Sequence, residues 1–163
     1  MKKRMWIVIL FLLAATALFP IRTYAMSDRP DKTSDINPQE ARDLAKAAID
    51  RMIASYAKKN AGEFMESVAD DFTGEKALLD RAIRKDFSLY ADIDIRYTLD
   101  NVVSNSAGDM VSVAITFTRS HTVIQTTVRG TESGTSELIF KRSGKILMLY
   151  SMKPPLVFGI SGL

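Results

Sequence analysis

Three kinds of side chain in this sequence have the chemistry to move a proton or hold a ligand. His121 is the single histidine, which excludes a histidine dyad and an all-histidine metal site but leaves one imidazole able to act as acid or base. It follows Arg119 and Ser120 at the start of a predicted strand, where a surface or edge position is expected. Asp92 and Asp94 share one face of another strand, and paired carboxylates can divide acid and base roles. They oppose the phase of Ile93 and Ile95, so both are expected to face water, and two carboxylates alone make a poor metal site. Tyr97 and Tyr150 fall on apolar phases. A buried phenol needs a hydrogen-bond partner and can donate to a ligand oxygen, although core packing is the role expected of both. No acidic residue shares either phase.

Other motifs fail on context. Ser55-Tyr56-Ala57-Lys58 has the S-x-x-K spacing of penicillin-recognising serine enzymes, but neither S-D-N nor K-T-G follows it. No nucleophile elbow, phosphate loop, dinucleotide fingerprint or zinc spacing is present. No metal and no cofactor is expected.

The elements that must position these residues change period part-way along the chain. Asn37 and Glu40 have capping-box spacing around Pro38, and Ala41, Leu44, Ala45, Ala48, Ile49, Met52, Ile53 and Tyr56 then form one stripe of an amphipathic helix. Asn60 and Glu63 repeat the box before a short helix carrying Phe64, Met65 and Val68. A third helix over 75–88 presents Leu78, Leu79, Ala82, Ile83 and Phe87, with Arg81, Arg84, Lys85 and Asp86 read as its wet face. After Tyr90 the period becomes two. Strands are predicted at Ile93–Leu99, Val111–Phe117, His121–Val128, Ser136–Lys141 and Lys145–Met152, with turns at 106–109, 130–134 and 143–144.

The last two strands are apolar on both faces, and a sheet has only one face for its helices. Ile139, Leu147 and Leu149 are the expected outward set, covered by a second copy of the chain or by the C-terminal run Pro154-Pro155-Leu156-Val157-Phe158.

The N-terminal segment carries an address. Lys2, Lys3 and Arg4 precede an apolar run from Met5 to Phe19, then Pro20 and the small-residue site Thr23-Tyr24-Ala25, the layout of a cleavable signal peptide. The run is shorter than the roughly 20 residues that span a bilayer, and an uncleaved anchor is the alternative. Without cysteine the chain cannot carry a cysteine-linked lipid. Cleavage after Ala25 removes four of 22 basic residues and turns the net charge from +3 to about −1, which removes the main support for a nucleic-acid partner, and none is expected. The expected organisation is a signal peptide at 1–25, a polar linker at 26–36, a domain at 37–159 and a tail at 160–163, in a periplasmic or secreted protein.

Helix, helix, helix and a meander of strands is the order of the nuclear transport factor 2-like superfamily. Residues 56–64 (Tyr-Ala-Lys-Lys-Asn-Ala-Gly-Glu-Phe) resemble the passage from its first helix to its second, Asp71-Phe72 resembles the aromatic that follows, and Phe140 to Leu149 around Ser143-Gly144-Lys145 is similar to its final hairpin. The resemblance implies an α+β, cystatin-like cone: three N-terminal helices packed on a curved antiparallel sheet of about five strands. It implies a conical pocket, for which Tyr56, Phe72, Tyr97, Phe117, Met148 and Tyr150 are the candidate lining, and often a homodimer through the convex sheet. The superfamily holds ketosteroid isomerase, scytalone dehydratase and polyketide-cyclase-like enzymes beside many non-enzymatic domains, so the fold does not choose the function. The expectation is an exported, non-catalytic domain that binds a small apolar ligand in the cone or acts through the sheet face. The alternative is a small isomerase, dehydratase or cyclase using a pocket tyrosine or His121.

Overall fold

The computed structural model describes residues 37–161; the expected signal peptide and linker lie outside them. Three helices, α1 (Pro38–Ala57), α2 (Ala61–Met65) and α3 (Lys76–Leu89), precede four strands, β1 (Tyr90–Ser104), β2 (Met110–Val123), β3 (Arg129–Ser143) and β4 (Ile146–Met152). The sheet is an antiparallel meander in the order β1-β2-β3-β4. The α+β class is as expected, with four strands where the sequence suggested about five.

The strand count differs because two glycines mark close approach instead of a turn. Gly130 and Gly134 lie inside β3, opposite His121 and Phe117 of β2. A Cβ on Gly130 would come within 2.8 Å of the His121 ring, and one on Gly134 within 2.8 Å of Pro155. The true turn is at 124–127, where Thr127 takes a positive φ. The segment read as a separate strand is therefore the end of β2 and the turn, and the turn expected at 130–134 is the start of β3.

The caps set the helices. Asn37 accepts from the Gln39 N–H at 2.9 Å, one residue earlier than expected, and Glu40 reaches Arg142 instead of closing a capping box. At α2 the box does close: Asn60 Oδ1 accepts from the Glu63 N–H and its Nδ2 donates to the Glu63 carboxylate. Ala41, Ala45 and Ala48 are buried along α1, where small side chains let the helix backbone lie close to the sheet. Register breaks at Ala91/Asp94 and Leu99/Asn101 mark irregularities of β1, the kind of extra residue that bends and twists a strand. Segment 67–73 runs along β4, with a parallel bridge between Val68 and Leu149 and hydrogen bonds to the backbone of Leu149 and Tyr150. That edge is thereby covered without a fifth strand.

Inward residues alternate through Val111, Val113, Ile115 and Phe117 on β2, through Leu138 and Phe140 on β3, and through Leu147 and Leu149 on β4. Leu147 and Leu149 therefore belong to the core, not to an outward interface. Met148 and Tyr150 take the intervening, half-buried positions. Burial assigns the phase here because both phases of β4 are apolar and alternation alone cannot. Of the expected interface set only Ile139 lies outside the core. Elsewhere the outer face carries short hydroxyls paired across strands: Thr116 with Thr135, Thr118 with Ser133 and Ser120 with Thr131.

Because Leu149 is fully buried, Leu149→Ala should cost about 2–5 kcal/mol and Leu149→Asp should prevent folding. Ile139→Asp should leave stability within about 1 kcal/mol of the parent. Thermal and urea unfolding followed by circular dichroism measure all three; an unchanged midpoint for Leu149→Ala would contradict the observed phase.

Candidate functional site

The inward alternation of β2 does not stop at Phe117. It continues to Arg119 and His121, both buried, on the concave face of the sheet. The stripe of α3 likewise continues from Leu79, Ala82 and Ile83 to Asp86, which is fully buried and not on the wet face. A chain cannot leave such groups without partners, because an unpaired buried charge costs several kcal/mol. The partners come from Tyr56 at the end of α1 and from the C-terminal segment, which folds into the cone.

Asp86 accepts a hydrogen bond from the Tyr56 hydroxyl, and 2.9 Å bonds from the backbone N–H groups of Ile160 and Ser161. The Gly159 N–H donates to the Tyr56 oxygen at 3.4 Å, and the Ser161 hydroxyl donates to Tyr90 at 3.1 Å. Burial, and then the charge of Asp86, push the Tyr56 phenol far above its ordinary pKa. Arg119, 2 % exposed at its side chain, donates to the half-exposed Glu132 on β3, to the Val157 carbonyl at 2.8 Å and to the Leu156 carbonyl at 3.4 Å. His121 packs against Tyr90 with ring centroids 4.2 Å apart. Its buried position corrects the expected edge placement: the strand starts eleven residues earlier than the sequence suggested.

Apolar packing completes the plug. Phe158 is fully buried, with its ring centroid 5.2 Å from Tyr56 and 5.0 Å from Phe64, and Phe87 lies 5.0 Å from Tyr56 on another side. Edge-on arrangements of this kind add to the area buried.

The expected pocket lining is thus divided. Tyr56 and Phe117 lie in the concave interior, and Phe72 is buried beside them in the same core. Tyr97 is half-buried at the flank of α1. Met148 and Tyr150 occupy the alternate positions of β4. Tyr97 donates to Asp50 at 2.7 Å, an acidic partner supplied by α1 that the strand pattern could not reveal. The pair borders an open cleft of ≈ 380 Å³ with Gln39, Arg42, Asp43, Lys46 and Leu99. Partial burial raises Asp50, but hydrogen bonds from Lys46 and Tyr97 outweigh it and hold the carboxyl below its ordinary range. Burial, followed by the Asp50 hydrogen bond, raises Tyr97. Asp92 and Asp94 are exposed as expected, Asp94 pairing with Arg96.

Solved structures share the fold. A conserved protein from Planctomyces limnophilus DSM 3776 superimposes with a TM-score of 0.61 at 15 % identity, over 68 % of this chain and 91 % of that one. A ketosteroid isomerase-like protein from Erwinia carotovora atroseptica SCRI1043 gives 0.59 at 17 %, over 71 % and 95 %. A candidate dehydratase of the NTF2-like family from Streptomyces avermitilis gives 0.61 at 11 %, over 71 % and 95 %. The chain has the nuclear transport factor 2-like fold. No family model and no curated protein matches its sequence, so the likeness lies in the backbone. In this nuclear transport factor 2-like cone, the interior is occupied by the chain's own residues 157–159, all buried.

The Tyr56 phenol is held protonated more firmly in the folded chain than in the unfolded one, so the stability it contributes is complete below about pH 10. It is lost as the pH rises further. Tyr56→Phe should therefore lower stability by about 1–3 kcal/mol at neutral pH and flatten the alkaline fall. Denaturant titrations from pH 7 to 11 test this; an alkaline limb identical in the variant would refute the role given to the phenol.

Proposed function

We propose that this is an exported, non-catalytic domain of the nuclear transport factor 2-like fold that binds a small apolar ligand in its cone, in exchange for its own C-terminal segment. The observation that carries the reading is Phe158: a ring at 0 % exposure between Tyr56 and Phe64, delivered by a loop instead of by a helix or strand of the scaffold. A cone lined this way accepts a flat apolar body, and the segment that fills it is held by a few hydrogen bonds to Asp86, Arg119 and Tyr56.

Three of the proton-carrying groups are set to hold a proton or a charge, not to exchange it. General acid–base work needs a group that gains and loses its proton near the working pH. The Tyr56 and Tyr97 phenols are held protonated and Asp50 is held ionised, and Asp86 is engaged by three donors. Export rests on the basic start, the apolar run and the small-residue site before Met26, and places the domain in the periplasm or outside the cell. The same reading includes a homodimer through the outer sheet face, where Val103 is 54 % exposed and Ile139 half-buried.

Two measurements bear on this. Native mass spectrometry of the exported fraction should give a chain beginning at Met26, as a dimer, with a small molecule retained; a full-length chain recovered only with membranes would overturn cleavage and make this a membrane-anchored domain. Phe158→Ala should lose about 3–5 kcal/mol and bind indole at least tenfold more tightly than the parent, read by calorimetry. A folded Phe158→Ala variant that does not take up indole would sink the cone-binding reading.

A further inference from the structure

Two buried nitrogens in the cone have no hydrogen-bond partner among the described residues: Arg119 Nε and His121 Nδ1. They belong to alternate residues of β2 that face the same way, about 7 Å apart along the strand. An unmade hydrogen bond at a buried polar atom costs about 1–3 kcal/mol, so a natural chain rarely carries two side by side without a use. Arg119 Nε is always a donor. His121 Nδ1 donates in the protonated ring and in one neutral tautomer. Two unfilled buried nitrogens on one face of a strand, one of them part of a permanently charged guanidinium, select an acceptor with negative charge, and a carboxylate has an oxygen to offer each of them.

The chain's own segment outlines the rest of the molecule. It places a carbonyl oxygen of Val157 on Arg119 Nη1 at 2.8 Å and, one residue on, the ring of Phe158 against Tyr56 and Phe64. An acceptor oxygen linked by a short spacer to an aromatic ring is the outline of an aryl-alkyl carboxylate. The remaining partner of Arg119, Glu132, is 55 % exposed at its side chain, so it can turn to water when another carboxylate enters. Asp86 keeps its bonds to Ile160 and Ser161 if only Leu156 to Phe158 withdraw.

We propose that Arg119 and His121 form a carboxylate site, and that the molecule exchanged for the C-terminal segment is a small organic acid with an apolar, ring-sized body. This rests on the cone-binding reading above and names its ligand class.

The test uses untagged full-length mature protein, in which His121 supplies the one imidazole signal by NMR. 3-Phenylpropionate and its neutral amide are titrated into the parent and into Phe158→Ala. The proposal expects saturable binding of the acid with movement of the His121 signals, and at least tenfold weaker binding of the amide. His121→Gln and Arg119→Gln should each bring the acid down to the level of the amide and leave the amide unchanged; if Arg119→Gln does not fold, His121→Gln carries the comparison. Equal binding of acid and amide with the His121 signals unmoved overturns the carboxylate site while the cone-binding reading stands. Binding of neither overturns both.

Discussion

A carboxylate moved out of water keeps its charge only when its oxygens are filled, and the cone is organised around one that is. Asp86, on α3, has no exposure and is filled by a side chain from the end of α1 and two backbone N–H groups from beyond β4. Three distant parts of the chain meet at one acid. Remove it and Tyr56 loses its acceptor, residues 160–161 lose their anchor, and Phe158 loses the loop geometry that seats it. Burial of a charge is weak evidence for net stability, but it is strong evidence for a specified arrangement here, since no apolar side chain could hold those three donors together.

The second buried charge follows a different logic. Arg119 has carbonyl and carboxylate partners on its terminal nitrogens and none among the described residues on Nε. Asp86 closes a structure; Arg119 and His121 leave capacity unused. The two buried charges are thus unequal, one satisfied by the fold and one incompletely so, and it is to the incomplete one that the segment offers only backbone oxygens.

Much of the fold could be read from apolar spacing, because each helix and strand buries one face and its period shows which. The stripe on α1 and the inward set on β2 follow from that, and the cap at Asn60 from its three-residue spacing to Glu63. Where both phases are apolar, as on β4, spacing carries no direction, and the burial of Leu147 and Leu149 cannot be read from it. The site was less legible for a related reason. Asp86, Arg119 and His121 occupy positions that the apolar rhythm marks as inward, yet charged residue types suggest water. The rhythm was the better guide, and a charge that keeps step with a buried stripe is itself the signal. The partners were beyond reach, since nothing local links Tyr56 to Gly159 or Tyr97 to Asp50.

That separation has a consequence for how the molecule comes together. The bond from Gly159 to Tyr56 joins positions 103 apart in the chain, and those from Ile160 and Ser161 to Asp86 join positions 74 and 75 apart. The meander, by contrast, pairs neighbours in sequence, and closing a long loop is slower than zipping a hairpin. The strands of the bowl are closed by short connections, whereas seating the last segment closes the long ones. A bowl waiting for its stopper is also the form most easily met by another molecule.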